Sequence, residues 1–530
     1  MDLINDPWIP IRRASGRREH IAPWQLTETD DPVLALAAPR PDFNGALMQF
    51  LIGLLQTAAA PMDDEAWAEW LEIPPSPETL RSRFEPFADA FDLDGEGPRF
   101  LQDFEELDGE FKPIDALLID APGAKSTRDN TDHFIKRDFV SAICPACAAT
   151  ALFTLQTNAP AGGVGNRTSL RGGGPLTTLV TLDPAGSGLE ETLWRNLWLN
   201  VLNAGSLGAR DTGTVSSPSS DIFPWLAPTR TSEAKSGRET TPMDAHPLQM
   251  YWGMPRRIRI DWETEQTGQC DICAAQDAPL ISRYVTRNYG INYTGPWQHP
   301  LSPHYIDSRT GEPLPQHAQP DGFSYRHWPG WVEGTDDVKP AQVVAAFQTA
   351  GERRMPAEQL RLWVFGYDMD NMKPLCWYEA ITPLILIRDE AVRHDFALRV
   401  KDMVAAAERV AGEVQRCIKE AWFKRPGDAR GDTAFLKEDF FQRSEGDFYT
   451  LLSALKLAVE SGEDIAVLQG WYEILQSAAV RLFDDHAARG DISFADPRRI
   501  VMAEDKLKKA LRGKKLRELL KISKHKEEAA

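Results

Sequence analysis

Two Cys-x-x-Cys pairs, Cys144/Cys147 and Cys270/Cys273, constrain this chain more than any other feature. Each pair sets two thiols on one tight turn. Two such turns supply the four thiolates of a tetrahedral Zn²⁺ site. With 122 residues between Cys147 and Cys270, the turns cannot form a compact zinc ribbon. A shared ion would clip together two distant parts of one domain, a structural role; two unliganded, reduced pairs are the alternative. Four thiolates leave no open position for water, so a catalytic metal is not expected. Paired thiols of this kind suit a reducing cytoplasm better than disulfides do.

The first pair leads through an apolar segment, Ala148–Leu155, into a glycine-rich loop, Ala161 to Thr168, and then Ser169-Leu170-Arg171-Gly172-Gly173-Gly174-Pro175. Glycine at this density opposes helix and strand. It marks tight turns or lets another backbone come close. Arg167 and Arg171 lie in this bare backbone, the arrangement expected where a polyanion rests on exposed N–H groups. A plain surface loop with chance arginines is the competing reading.

The net charge of −19 opposes binding of a free polyanion. Nucleic-acid binding then needs local basic patches, or a partner that brings positive charge. Three patches exist: Arg12 to Arg18, Arg256-Arg257-Ile258-Arg259, and Lys506 to Lys526. Each such patch is more often a solvated face than a binding site. The N-terminus lacks the basic start and apolar core of a signal peptide. The apolar stretch Ala46–Ala60, interrupted by Gln49, Gly53 and Gln56, is too short to span a bilayer and predicts a buried helix.

Along the chain, Leu176–Leu182 predicts a strand and Leu189–Val201 a helix. Tyr251 to Trp262 reads as strand. Residues 121–138 are polar and aperiodic, with His133-Phe134 beside Lys136 and Arg137. Residues Gln359–Val364 lead to Gly366-Tyr367, and then to a turn with Asn371 and Met372 at its tip and Lys373 beside it. An amide with an apolar wedge can pry apart a base step. From about residue 384 the pattern turns helical. Phe396, Val400, Met403, Ala407, Val410, Val414 and Cys417 form a heptad seam, and Leu436–Val459, Ile465–Phe483 and Pro497–Ile522 predict three further helices, hence an up-down bundle. No P-loop, His-Glu-x-x-His or Gly-x-Ser-x-Gly motif is present, so no active site is visible.

The ordered set of motifs resembles the large subunit (CasA) of the type I-E CRISPR surveillance complex, Cascade. It runs from Ile4-Asn5-Asp6-Pro7-Trp8-Ile9-Pro10 through Cys144-x-x-Cys147, Ala151-Leu152-Phe153 and Ser169-Leu170-Arg171-Gly172-Gly173. It continues with Cys270-x-x-Cys273, Trp297-x-His299-Pro300-x-Ser302-Pro303, Gly366-Tyr367 and the run Glu438 to Glu445. The resemblance implies a non-catalytic subunit that reads a short protospacer-adjacent motif (PAM) in double-stranded DNA, mainly in the minor groove. It also implies opening of the duplex for the guide and recruitment of a helicase–nuclease, the division of labour of RNA-guided recognition.

Residue by residue, the resemblance implies DNA contacts by His133, Phe134, Ile135 and Lys136 in a mobile loop, and by Gly162, Gly163, Gly165 and Asn166 in the glycine loop. Val164 replaces a glycine there. Arg287 and Asn288 stand where the family has a lysine finger, and Asn371, Met372 and Lys373 where it has a glutamine wedge.

The expected fold is α+β: a large mixed α/β N-terminal domain over residues 1–383 with a zinc clip, then a C-terminal four-helix bundle over 384–530. Expected partners are target DNA, the guide-RNA-containing Cascade subunits (backbone, small subunit and the 5′-handle-binding subunit) and the helicase–nuclease, with no membrane and a cytoplasmic location. The alternatives are a zinc-dependent nucleic-acid-processing enzyme and a pure scaffold.

Overall fold

The computed structural model describes residues 1–123, 127–129, 139–183, 190–207, 216–233, 235–264, 266–320, 322–348, 360–370, 373–428, 431–489 and 496–522. The fold is α+β, in two compact units. One comprises Met1–Pro320 with Asp337–Leu384, the other Asp321–Asp336 with Ile385–Ala530.

The first unit is built around helix α1, Pro41–Ala58. Pro41 fits its first turn, where an N–H would go unpaired anyway, and nearly every later residue is buried. Phe50 receives the edges of Trp8, Phe91, Phe100, Phe153 and Trp252 at centroid distances of 5.1–5.9 Å. Edge-to-face packing of this kind adds about 0.5–1.5 kcal/mol per pair beyond area burial. The polar interruptions of α1 are paired: Gln56 exchanges hydrogen bonds with the Leu202 backbone at 2.7 and 2.9 Å, and Gln49 accepts from Arg171. Helix α2, Pro145–Asn158, lies against α1 and contributes Phe153.

Two three-stranded sheets of this unit position the candidate site. In the first, strand β1 (Glu110–Pro113) pairs with β4 (Arg283–Arg287), which pairs with β3 (Arg257–Ile260), all antiparallel. In the second, β2 (Thr177–Leu182) pairs with β5 (Leu360–Asp370), which forms a long hairpin with β6 (Lys373–Pro383).

Three predicted elements are shorter than expected. The helix near Leu189–Val201 spans Leu193–Trp198, capped by Thr192, whose side chain accepts from Arg195 N–H; Asn196 and Asn200 turn their amides onto the edge of β2, accepting from Leu182 and Val180 N–H. The strand at Tyr251–Trp262 begins only at Arg257, after a 3₁₀ turn opened by Pro247. The helix at Pro497–Ile522 is two helices, broken at Gly513.

The second unit is mainly helical. Helix α3 (Glu390–Trp422) buries the whole predicted seam from Phe396 to Cys417. It packs on α4 (Phe435–Ser461), α5 (Asp464–Phe483), α6 (Pro497–Leu511) and the short α7 (Lys514–Leu519). Trp471 donates its indole N–H to Met403 O at 2.9 Å, tying α5 to α3. The excursion Asp321–Asp336 was not anticipated from sequence. Its Tyr325 plugs the helical core, stacked on Phe448 at 4.2 Å and hydrogen-bonded to buried Ser444 at 2.9 Å.

Candidate metal centre and nucleic-acid interface

Cys144 is the N-cap residue of α2, and Cys147 lies in its first turn after Pro145. The other pair sits in the turn between the antiparallel strands Gln266–Gly268 and Ala278–Leu280. Asp271 fixes that turn by accepting from the N–H groups of Ser141 and Ala142 at 2.7 and 2.9 Å, and Ile143 bridges Ile281. The four Sγ atoms converge within 4.8 Å of one another.

The Cys144–Cys273 sulfur separation is 3.7 Å. Four thiolates around Zn²⁺ at about 2.3 Å stand about 3.8 Å apart, whereas a disulfide needs about 2.0 Å. The set therefore fits a tetrahedral ion and not a bridge. Hydrogen bonds from the Cys144 and Cys147 thiols hold Cys270 far below the ordinary thiol range. Cys147, facing the Cys144 sulfur first and then the other two, is pushed up. Such crowded thiols ionise together only around a cation.

The clip governs what lies beyond it. From the first knuckle, α2 runs 14 residues to the glycine loop; from the second, the chain enters β4 and ends it at Arg287. The loop and the turn after β4 then meet. Tyr289 N–H donates to Gly165 O at 2.8 Å, and Asn288 Nδ2 donates to Val164 O at 2.7 Å. Gly163 and Gly165 hold φ of +67° and +78°, and Tyr289, a non-glycine residue, holds +66°. The loop thus turns its carbonyls inward. Among the described residues, none of the N–H groups of Gly162 to Thr168 donates to the protein. Val164 forms the tip, 74% exposed.

The structure brings Gly162, Gly163, Gly165 and Asn166 together with Arg287 and Asn288. Asn166, Arg287 and Asn288 are exposed, and Arg287 leans 3.5 Å from Glu233. Lys373 is exposed and opens β6, paired in register with Asp370. His133, Phe134, Ile135 and Lys136, with Asn371 and Met372, lie outside the described residues.

The loop arginines require correction. Arg171 is buried, only 4% exposed, and cannot reach a polyanion. Arg167 folds back onto Ser232, with Nε 2.7 Å from its Oγ, and onto the Tyr289 ring. Tyr289 is the site residue that sequence reading missed; its only local signal is the following Gly290. His299 is a structural hydrogen-bonder, buried, with Nδ1 accepting from Leu301 N–H at 3.1 Å. Among the described residues, no helix is long and apolar enough to cross a membrane.

Fold and site together define a class: a two-unit α+β chain in which a four-cysteine clip leads into a backbone loop whose N–H groups have no protein partner among the described residues. Residues 2–482 match the family model of the CRISPR-associated protein Cse1, and the chain belongs to that family. Three solved structures show the same fold at low identity. CasA from Thermus thermophilus is 18% identical, with a TM-score of 0.67 over 96% of this chain and 99% of that one. Cse1 from Thermobifida fusca is 16% identical, with a TM-score of 0.71 over 99% of each. A chain of a CRISPR RNA-guided surveillance complex is 16% identical, with a TM-score of 0.65 over 97% of this chain and 99% of that one.

Proposed function

We propose that the protein is the large subunit of an RNA-guided CRISPR surveillance complex of the Cascade type, and that it reads the PAM in double-stranded target DNA and starts strand separation. The observation that carries this reading is the glycine loop. Its N–H groups from Gly162 to Thr168 have no partner among the described residues, and Val164 stands at an exposed tip. N–H groups on a loop of alternating handedness form an anion-binding concavity, and a loop without bulky side chains suits a groove about 6 Å wide. Asn288, bonded to Val164 O, and the exposed Arg287 beside it in sequence are polar groups on the turn clamped to that loop.

In this reading the hairpin of β5 and β6 carries the wedge, with Asn371 and Met372 at its tip and Lys373 behind, and the segment with His133 to Lys136 adds contacts. The ion held by Cys144, Cys147, Cys270 and Cys273 is structural Zn²⁺. The helical unit is a four-helix bundle that meets the other Cascade subunits, and the subunit helps recruit the helicase–nuclease in the cytoplasm without catalysing a reaction itself. A zinc-dependent enzyme is disfavoured, because four thiolates fill the tetrahedron and leave no position for water.

The test is duplex binding by the reconstituted guide-RNA complex, with and without this chain, on a library randomised beside the target. Selection of a short flank only in its presence, weakened by Asn371→Ala with Met372→Ala, is the expected result. Unchanged affinity and flank selection would make the protein a scaffold.

A further inference from the structure

Arg171 is a cation in the wrong place. It is buried, 4% exposed, and among the described residues no carboxylate pairs with it. Its partners are neutral: Nη1 donates to Thr177 Oγ1 and Ser302 Oγ, both at 3.1 Å, and Nη2 donates to Gln49 Oε1. A guanidinium has five N–H donors, so two remain unspent. Burial pushes the group down only to about 9, so it stays cationic at neutral pH. An ion buried without a counter-charge carries a desolvation cost of several kcal/mol, about as large as the stability of many domains.

A second observation lies beside it. Gln49, Arg171, Tyr251 and His299 line one cavity of about 20 Å³. The Tyr251 side chain is 5% exposed, and its hydroxyl is buried without a hydrogen-bond partner. A buried hydroxyl left unpaired is itself costly. His299 cannot supply negative charge, and burial keeps its ring neutral. The cavity thus offers unspent guanidinium N–H groups, a free O–H and no anion. Its volume suits one water-sized or halide-sized occupant.

We propose that this cavity is a buried monatomic anion site, occupied by chloride in solution, with Arg171 and the Tyr251 hydroxyl as its donors. The site lies at the root of the glycine loop, since Arg171 closes the segment that begins at Ala161. The anion would fix that root from inside while the loop faces outward.

The experiment uses the full chain in two formats. Crystals grown in sodium bromide should show an anomalous peak within hydrogen-bond reach of Arg171 and Tyr251; a water without anomalous signal there overturns the proposal. In solution, thermal unfolding is compared in chloride and in gluconate at equal ionic strength. Wild type should melt higher in chloride. Tyr251→Phe keeps the ring and removes one donor. It should lose roughly tenfold in halide affinity, the size of one hydrogen bond to a charged group. It should melt below wild type in chloride and no lower than wild type in gluconate. An equal halide response in the two proteins, or a Tyr251→Phe variant at least as stable as wild type in both salts, refutes it.

Discussion

Replacing Gly165 with alanine should loosen the glycine loop from the turn that props it, and the size of the effect can be worked from the geometry. A left-handed conformation costs an L-residue about 1–2 kcal/mol, and Gly165 sits at φ +78°. The added Cβ would also lie 2.9 Å from two ring carbons of Tyr289, inside the ordinary carbon–carbon contact of about 3.5 Å. The ring cannot simply withdraw, because Tyr289 N–H is bonded to Gly165 O at 2.8 Å; giving up that bond costs about 1 kcal/mol more. The total is about 2–3 kcal/mol. Gly163 is the control. Its φ is +67°, but its Cβ would meet only Asn166 Nδ2 at 3.4 Å, so Gly163→Ala should cost about 1–2 kcal/mol. Hydrogen exchange read on peptides covering residues 159–170 and 285–292 reports the difference. Gly165→Ala should lose about fivefold more protection at Tyr289 than Gly163→Ala, the equivalent of about 1 kcal/mol. In a Tyr289→Ala background the two substitutions should cost the same, since the ring is gone. Equal losses in the parent protein would refute the argument that the Tyr289 contact, rather than backbone handedness, holds the loop.

Purified protein should contain one Zn²⁺ per chain by elemental analysis, and Cys270→Ser should abolish it and lower the melting temperature; metal-free protein indifferent to a chelator would contradict the clip. Burial holds His304 down to about 4 and His299 well below its usual range, while both titrate near about 6.5 when unfolded. The unfolded chain then binds more protons between those values, so this contribution to stability is full above about pH 6.5 and falls as pH drops, by up to about 2.7 kcal/mol per pH unit for the two. Urea unfolding at pH 7, 6 and 5 checks the slope, and a flat profile contradicts it. In the assembled complex, Arg287→Ala should reduce the slope of log affinity against log salt by about 0.9, one phosphate contact, whereas Val164→Ala should change affinity at an unchanged slope. A slope change for Val164→Ala would assign charge where the loop has none.

The parts of this protein legible in sequence were those whose signal is local. The cysteine knuckles carry their chemistry in their spacing, and the seam from Phe396 to Cys417 repeats at heptad intervals, so thiol convergence and a long buried helix face could both be read. What escaped was set by distant partners. Nothing near Tyr289 announces that its ring will underlie Gly165, because that contact joins two segments more than a hundred residues apart. Arginine is ordinarily exposed, so Arg171 in a glycine-rich run looked like a polyanion ligand until its shell of Gln49, Thr177 and Ser302 appeared. Tyr325 lies in a stretch without helical period, yet it belongs to the helical unit through Phe448 and Ser444.

The same arginines bear on how an acidic chain could meet DNA. Of the patches that looked basic in sequence, much is spent internally. Arg13 pairs with Glu19 and Glu28. Arg257 is buried against Asp103 at 2.6 Å, Arg256 donates to Pro160 O at 2.5 Å, and Arg259 to Asp103 O at 2.9 Å. These side chains hold the first unit together around the loop and are unavailable for phosphate. The loop itself offers N–H groups and a valine, which recognise shape and hydrogen-bond acceptors but supply little long-range attraction. With a net charge of −19, the isolated chain should be repelled by DNA once the two come within a Debye length of about 8 Å. In the proposed reading, approach is then driven by positive charge on other subunits, and the glycine loop acts only once the duplex is already in contact. A neutral reading loop then has an advantage over a basic one: it adds little affinity for arbitrary sequence, so what it adds at the right sequence is discrimination.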